Sequence, residues 1–276
     1  MTTVLDGKAL AARINLELKQ ALAKIKEKIG IGIILVGNNP SSEVYVSGKL
    51  KAAKDIGMET KKIIFSDKVS QQELMQAVDD FNQDKSIHGY IVQLPLPSHI
   101  DKQFIIDGIL PHKDADGFSP VNLGSMFIGK KVILPATPKG IMRILSEYKI
   151  QLKGKHAVVV GRSDIVGKPI SFLLQQADAT VTMCHSQTEH LEEHVKRADI
   201  LVSAVGRPHF ISAKIVKKGA VVIDVGTTRI DGKLVGDVHP DVMQIASAMT
   251  PVPGGIGPMT IAMLLENVLD CYHLGK

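Results

Sequence analysis

Short apolar runs bounded by glycine or proline recur along this chain, each followed by a segment whose apolar residues fall at helical spacing, and the alternation is played twice. GIGIILVG at 30–37 and HAVVV at 156–160 are the clearest runs. A run of this length and composition reads as a strand buried on both faces. The amphipathic segments between such strands have one apolar stripe each, which is satisfied by covering a parallel sheet. In the first half the pattern predicts a long helix over 8–29, a strand over 30–37 and a helix over 41–56 with Ser41 or Ser42 at its N-cap. A strand over 58–66, a helix over 70–84, a strand over 89–97 stopped by prolines and a short helix over 101–110 follow. The stretch 111–138 reads as loop, and a helix is expected at about 138–149. The second half predicts strands at 156–160, 179–186, 198–205 and 219–225, helices at 169–177 and 189–197, and a closing helix at about 258–273. The expectation is an α/β chain of two units joined near 140–150.

The totals narrow the function. At 276 residues the chain is long enough for about two domains. No apolar run reaches the ~20 residues of a membrane span, and the N-terminal segment lacks the apolar stretch of a secretory signal. The two cysteines, Cys184 and Cys271, have no metal-ligand spacing, so neither a metal nor a disulfide framework is expected and a reducing cytoplasm is the natural compartment. The net charge of +5 suits anionic partners. Aromatic residues are only 4% and are not interleaved with basic runs, which argues against nucleic acid and leaves an anionic small molecule.

Residues 156–177 carry the first chemical motif. The strand HAVVV runs into Gly161-Arg162-Ser163-Asp164-Ile165-Val166-Gly167 and then into a helix with Pro169 in its first turn. Such a turn brings backbone amides and a helix N-terminus to a pyrophosphate. The pattern GxSxxxG is one residue longer than GxGxxG, so an ordinary tight turn is the competing reading, and the strand–turn–helix context is what favours a dinucleotide. An NAD enzyme usually ends the next strand with an acid that accepts from the ribose. Here that place holds Cys184, His185 and Ser186, with no carboxylate before Glu189. Arg162 and Ser186 can instead bind a 2′-phosphate, which predicts NADP.

The second constellation lies in the first half. Ser42, Tyr45 and Lys49 are spaced by three and four and so share one helix face, whereas Lys51 points elsewhere. A desolvated lysine exchanges protons near neutral pH; a lysine on a surface helix is usually just solvated. Gln93 ends an apolar strand, at the carboxyl edge where open α/β sheets bind ligands. Asp114 and Asp116 flank Ala115 in a loop, and could hold a cation, serve as acid and base, or cap a turn.

Taken in order, SSEVYVSGKLKAAKDIGM, QLPLP, KDADGFSPVNLG, PATPKG, GRSDIVGKP, ATVTMCHSQT, ADILVSAVGRP, VVIDVGTTR, GDVHPDV and TPVPGGIGPMT resemble the bifunctional methylenetetrahydrofolate dehydrogenase/cyclohydrolase family along nearly the whole chain. The resemblance implies an N-terminal folate-binding and catalytic domain over 1–140, completed by a C-terminal helix at 258–276. It also implies an NADP-binding Rossmann domain over 141–257, with a cleft between the two over which Gly254, Gly255 and Pro258 close. It implies Lys49 as the catalytic lysine, Tyr45 against the folate, Gln93 bonded to the lysine and Asp116 on the pterin edge, with Ser42 and Pro258 also on the substrate. Gly161, Arg162, Ser163, Gly167, Ser186 and Thr227 then fall on the cofactor, and a homodimer is implied. Ala136, Thr227 and Thr228 depart from the family's common cysteine and Ile-Asn pair, the last two near the nicotinamide. Two readings compete: another two-domain NADP oxidoreductase of the shikimate dehydrogenase kind, which would not predict Tyr45 and Lys49 with QLPLP and KDADG, and a non-enzymatic NADP-binding protein, which leaves Lys49 without a task.

Overall fold

The computed structural model describes residues 1–276, the side chain of Ser41 excepted. By packing, the chain divides into two compact units, one of Met1–Ala11 with Thr137–Thr260 and one of Ala12–Ala136 with Ile261–Lys276. Strand β1 (Thr3–Val4) opens the chain, and helix α1 (Gly7–Leu22) follows. The predicted continuation of that helix to residue 29 does not form. Lys24 and Ile25 bond in tight turns to Ala21 and Leu22, and the charge-rich stretch 24–28 has no apolar stripe to bury, so the chain turns into the next strand.

Strands β2 (Gly30–Val36), β3 (Glu59–Phe65) and β4 (Gly89–Val92) form a parallel sheet in the order β3-β2-β4. Between them run α2 (Pro40–Ile56) and α3 (Gln71–Gln83), and after β4 come α4 (Lys102–Asp107) and α5 (Pro120–Phe127). All seven residues of β2 are buried, as the apolar run requires. Helix α2 starts one residue before Ser41, and the amide of Ser42 donates to Asn39 Oδ1 at 3.2 Å, so Asn39 caps it rather than Ser42. The alternative cap, Ser41, lies outside the described side chains. β4 stops at Val92, short of the predicted residue 97, because Pro95 and Pro97 have no N–H to give a ladder. Helix α5 occupies part of what reads as loop; Ser119 caps it and Pro120 is its first residue.

In the second half, α6 (Ala136–Glu147) leads to β5 (His156–Val160), α7 (Gly167–Gln176), β6 (Thr180–Cys184), α8 (Leu191–Val195), β7 (Ile200–Ser203) and β8 (Val221–Asp224). A hairpin of β9 (Thr228–Ile230) and β10 (Lys233–Val235), a 3-10 turn at Pro240–Gln244, β11 (Ala248–Met249) and α9 (Ile256–Leu274) complete the chain. The large sheet is parallel throughout, in the order β1-β11-β8-β7-β5-β6. Its end strand β1 pairs Thr3 with Ala248. Packing groups residues 1–11 with the second half, not with the first as the resemblance implies. Most predicted boundaries differ from the observed ones by two residues or fewer. The sheet's core is aliphatic, with Val158, Val160, Leu201 and Val222 among its fully buried members.

Candidate functional site

In the three-stranded sheet, the chain leaves β2 to one side for β3 and to the other for β4. The carboxyl ends of β2 and β4 therefore flank a topological switch point, the place where an open α/β sheet takes a ligand. Gln93 follows β4 there, and its backbone amide still bonds to the carbonyl of Ile34 at 2.8 Å. α2 brings Lys49 to the same edge. Lys49 Nζ donates to Gln93 Oε1 at 3.0 Å, while Gln93 Nε2 donates to the Leu94 carbonyl at 2.7 Å. The second bond fixes which end of the amide faces the lysine.

Lys49 is only 9% exposed, so the solvated-surface reading of this residue fails. Burial lowers its pKa from the ordinary lysine value, and the nearby Asp116 carboxylate pulls the other way. Asp116 is itself pushed up to about 6, by burial first, with Lys49 opposing and Asp114 adding to the rise. Ser42 is buried, and Tyr45, one turn before Lys49, is 39% exposed and free to meet a ring. Lys51 is exposed, as its place on the helix predicts. Lys49, Gln93 and Asp116 are thus brought together, with Tyr45 and Ser42 on the same helix as the lysine. Pro258 sits half-buried in the first turn of α9, within the other unit.

Of the two loop acids, Asp114 is the turn-former. Its carboxylate accepts from the amides of Gly117 at 3.0 Å and Ser119 at 2.7 Å and from Asn122 Nδ2 at 3.0 Å. The segment also lies beside β4, with the Tyr90 amide bonded to the Lys113 carbonyl and the Ala115 amide to that of Tyr90. Asp116 is delivered to the strand end by this anchoring.

The second constellation occupies the other unit. In the order β7-β5-β6 the switch point falls between β5 and β7. Gly161 leaves β5 at φ 128°, and a Cβ there would strike the carbonyl of Ala204. Ser163 Oγ accepts from the amides of Val166 and Gly167 at 3.2 Å each, tying the turn to the start of α7. Arg162 is exposed in the turn. Ser186 is exposed just past β6, whose last residue Cys184 accepts from the Gly161 amide at 2.9 Å, so the two predicted phosphate ligands belong to adjoining strand ends. No carboxylate ends β6, and an exposed guanidinium with a hydroxyl suits a phosphate monoester, so the residues present fit NADP. Thr227 is exposed after β8.

Two acids of this unit were not singled out from sequence. Asp224 ends β8 and Asp237 follows the hairpin; both are buried, at 2% and 0% exposure. An acid closing an apolar strand, as in VVID, is the signal that could have found the first, because a carboxylate there must be fed with donors. Among the described residues no helix is long and apolar enough to cross a membrane.

Two family models match the chain. The one described as tetrahydrofolate dehydrogenase/cyclohydrolase, catalytic domain, matches residues 5–116, and the one described as its NAD(P)-binding domain matches residues 135–275. The bifunctional protein FolD of Streptococcus mutans is 51% identical over 273 residues, 97% of this chain and 96% of the relative. Among solved structures, the bifunctional FolD methylenetetrahydrofolate dehydrogenase/cyclohydrolase of Campylobacter jejuni is 43% identical with a TM-score of 0.97, covering 100% of both chains. The Trypanosoma brucei methylenetetrahydrofolate dehydrogenase-cyclohydrolase, described as complexed with NADP cofactor and inhibitor, is 39% identical with a TM-score of 0.95, covering 99% of this chain and 98% of that one.

Proposed function

The chain belongs to the tetrahydrofolate dehydrogenase/cyclohydrolase family, and on that footing we propose that it oxidises 5,10-methylenetetrahydrofolate with NADP and hydrolyses the resulting 5,10-methenyl compound to 10-formyltetrahydrofolate. The observation that carries this reading is the Lys49–Gln93 hydrogen bond at 3.0 Å, formed by a buried lysine beside Asp116. Folate is the small-molecule substrate. The finer expectations of a homodimer and a cytoplasmic enzyme rest on the family resemblance and, for the compartment, on two buried free cysteines.

Loss of hydride from the methylene bridge leaves a cation that its two flanking nitrogens already stabilise, so the first step asks for positioning more than for a base. When bound, NADP supplies the hydride acceptor. Arg162 and Ser186 would hold its 2′-phosphate, and Gly161, Ser163 and Gly167 would shape the turn against its pyrophosphate, with Thr227 nearer the nicotinamide. In the second step water adds to the amidinium carbon, a proton leaves that water, and the ring opens as the proton reaches nitrogen. Lys49 is the group that takes and returns this proton. Burial already favours its neutral form, and a cationic substrate favours it further. Gln93 orients the amine. Tyr45 supplies a ring face to the folate, Asp116 accepts from the amino and ring N–H groups of the pterin, and Ser42 adds a substrate contact.

The test is a mixture of the protein with 5,10-methylenetetrahydrofolate and either NADP or NAD, followed by absorbance. Reduced NADP forming without accumulation of the methenyl compound is the expected result. Accumulating methenyl compound would reduce the chain to a dehydrogenase, and no cofactor reduction by a folded protein would remove the folate reading.

A further inference from the structure

The switch-point crevice between β5 and β7 has two walls. One is the glycine turn after β5. The other is the loop at residues 204–207 that follows β7, and the two touch: the Ala204 amide bonds to the Val160 carbonyl at 2.8 Å, and the Ala204 carbonyl faces the Cα of Gly161. A loop of this kind has no strand partner to fix it, so its amides need acceptors from elsewhere. They find them in one side chain. Asp237, fully buried, accepts from the amides of Val205 at 2.8 Å, Gly206 at 3.2 Å and Arg207 at 2.8 Å, and from Ser203 Oγ at 3.3 Å. Asp237 is in turn held by Asp224, whose carboxylate accepts from the amides of Asp237, Val238 and Gly226 at 2.9 Å each. Gly226 and Gly236 leave the room, since a Cβ on either would run into one of the two carboxylates.

Resting on the cofactor reading above, we propose that Asp237 is a positioning residue of the NADP site, fixing the wall at residues 205–207 by gathering its amide donors onto one carboxylate. It does not touch the cofactor. Asparagine at this position turns an NH2 group toward donors, so at least one amide loses its acceptor and the wall moves.

The chemistry provides an internal control, because hydrolysis of the methenyl compound needs no hydride acceptor. For Asp237→Asn we expect the dissociation constant for NADPH, read from nicotinamide fluorescence, to rise about tenfold to a hundredfold, the range set by losing charge-assisted hydrogen bonds. In the dehydrogenase assay the KM for NADP rises with it, while the KM for the folate and the rate of methenyl hydrolysis stay at the wild-type values. Ser203→Ala, which removes only the longest of the four bonds, shifts NADPH affinity far less. Should Asp237→Asn not fold, Asp237→Ser, smaller and able to admit a water, replaces it in the same measurements. Wild-type NADPH affinity in a folded variant overturns the inference, and so does equal loss of NADPH binding and hydrolysis. A wild-type chain that binds no NADPH at all sinks the cofactor reading, and this inference with it.

Discussion

Asp114 accepts from two backbone amides and an asparagine, whereas Asp116, two residues further, has no hydrogen bond to its carboxylate among the described residues and faces Lys49 instead. Spacing alone presents the two as equals and the family resemblance picks Asp116; the count of donors gives the physical reason, separating a turn-former from a group held ready for a ligand. That difference has a cost with a definite sign. Asp116 is raised to about 6 from an ordinary 3.8, so the folded state prefers it protonated. Its favourable contribution is complete below the unfolded value and is lost as pH rises through the folded one, which leaves the ionised group destabilising at pH 7 and above by about 2–3 kcal/mol. Asp116→Asn is therefore expected to resist urea better than wild type at pH 8, with the gap closing between pH 6 and 4, while folate affinity falls. An unchanged midpoint at pH 8 would contradict the assigned burial cost. Lys49→Met is expected to abolish methenyl hydrolysis while hydride transfer, which needs no base, persists. Stopped-flow absorbance of the methenyl compound checks this, and a wild-type hydrolysis rate would remove Lys49 from its role. The lysine, the glutamine and the acid were legible as residues. Spacing alone does not bring them together, since Lys49 and Gln93 are separated by 44 positions and join only through the sheet; the family resemblance is what foretells their bond.

At the level of elements, local rules worked where the signal was local. Helix α3 begins as its sequence says, with Ser70 and Glu73 forming a reciprocal capping box: Ser70 Oγ accepts from the Glu73 amide at 3.2 Å and Glu73 Oε2 accepts from the Ser70 amide at 2.9 Å. Ser70→Ala is expected to cost about 1 kcal/mol of stability and to leave both activities unchanged, because none of the hydrogen bonds of this cap reaches Lys49, Gln93 or Asp116. Denaturant titration alongside both assays would show a loss of activity if that separation were mistaken. Elsewhere a usable signal was passed over. Asp231-Gly232 between β9 and β10 has both residues at positive φ, 48° and 77°, the conformation Asp-Gly adopts in a two-residue hairpin turn. Helix α5 hid inside a loop reading because its eight residues begin with proline and carry a glycine, although Ser119-Pro120 is a proper start signal. β1 and β11 left no trace in sequence at all. Each is two residues long, and their pairing joins residue 3 to residue 248.

For the molecule as a whole, the βα alternation announced two parallel sheets, and both are present. What alternation does not reveal is strand order, and strand order is what fixes the two switch points where Gln93 and Gly161 stand. A ligand that binds only the folded unit containing Gly161 stabilises it by mass action, about 2.7 kcal/mol at a hundredfold excess over its dissociation constant. NADP is therefore expected to raise the thermal midpoint of this enzyme more than NAD at equal concentration, and Arg162→Ala to erase most of the difference. Equal shifts from both dinucleotides would leave Arg162 without a phosphate to hold.

Asn267, on α9, donates to the carbonyls of Ala115 and Leu134, and residues 261–276 belong with Ala12–Ala136. On a ribosome this has a temporal meaning. The segment bearing Lys49, Gln93 and Asp116 is synthesised early, yet it waits for a helix translated more than a hundred residues later, and the strand at residues 3–4 waits for its neighbour at 248–249. The unit bearing Lys49 is begun first and completed last, because the whole of residues 137–260 is read out between its two segments, and the other unit is likewise interrupted by residues 12–136.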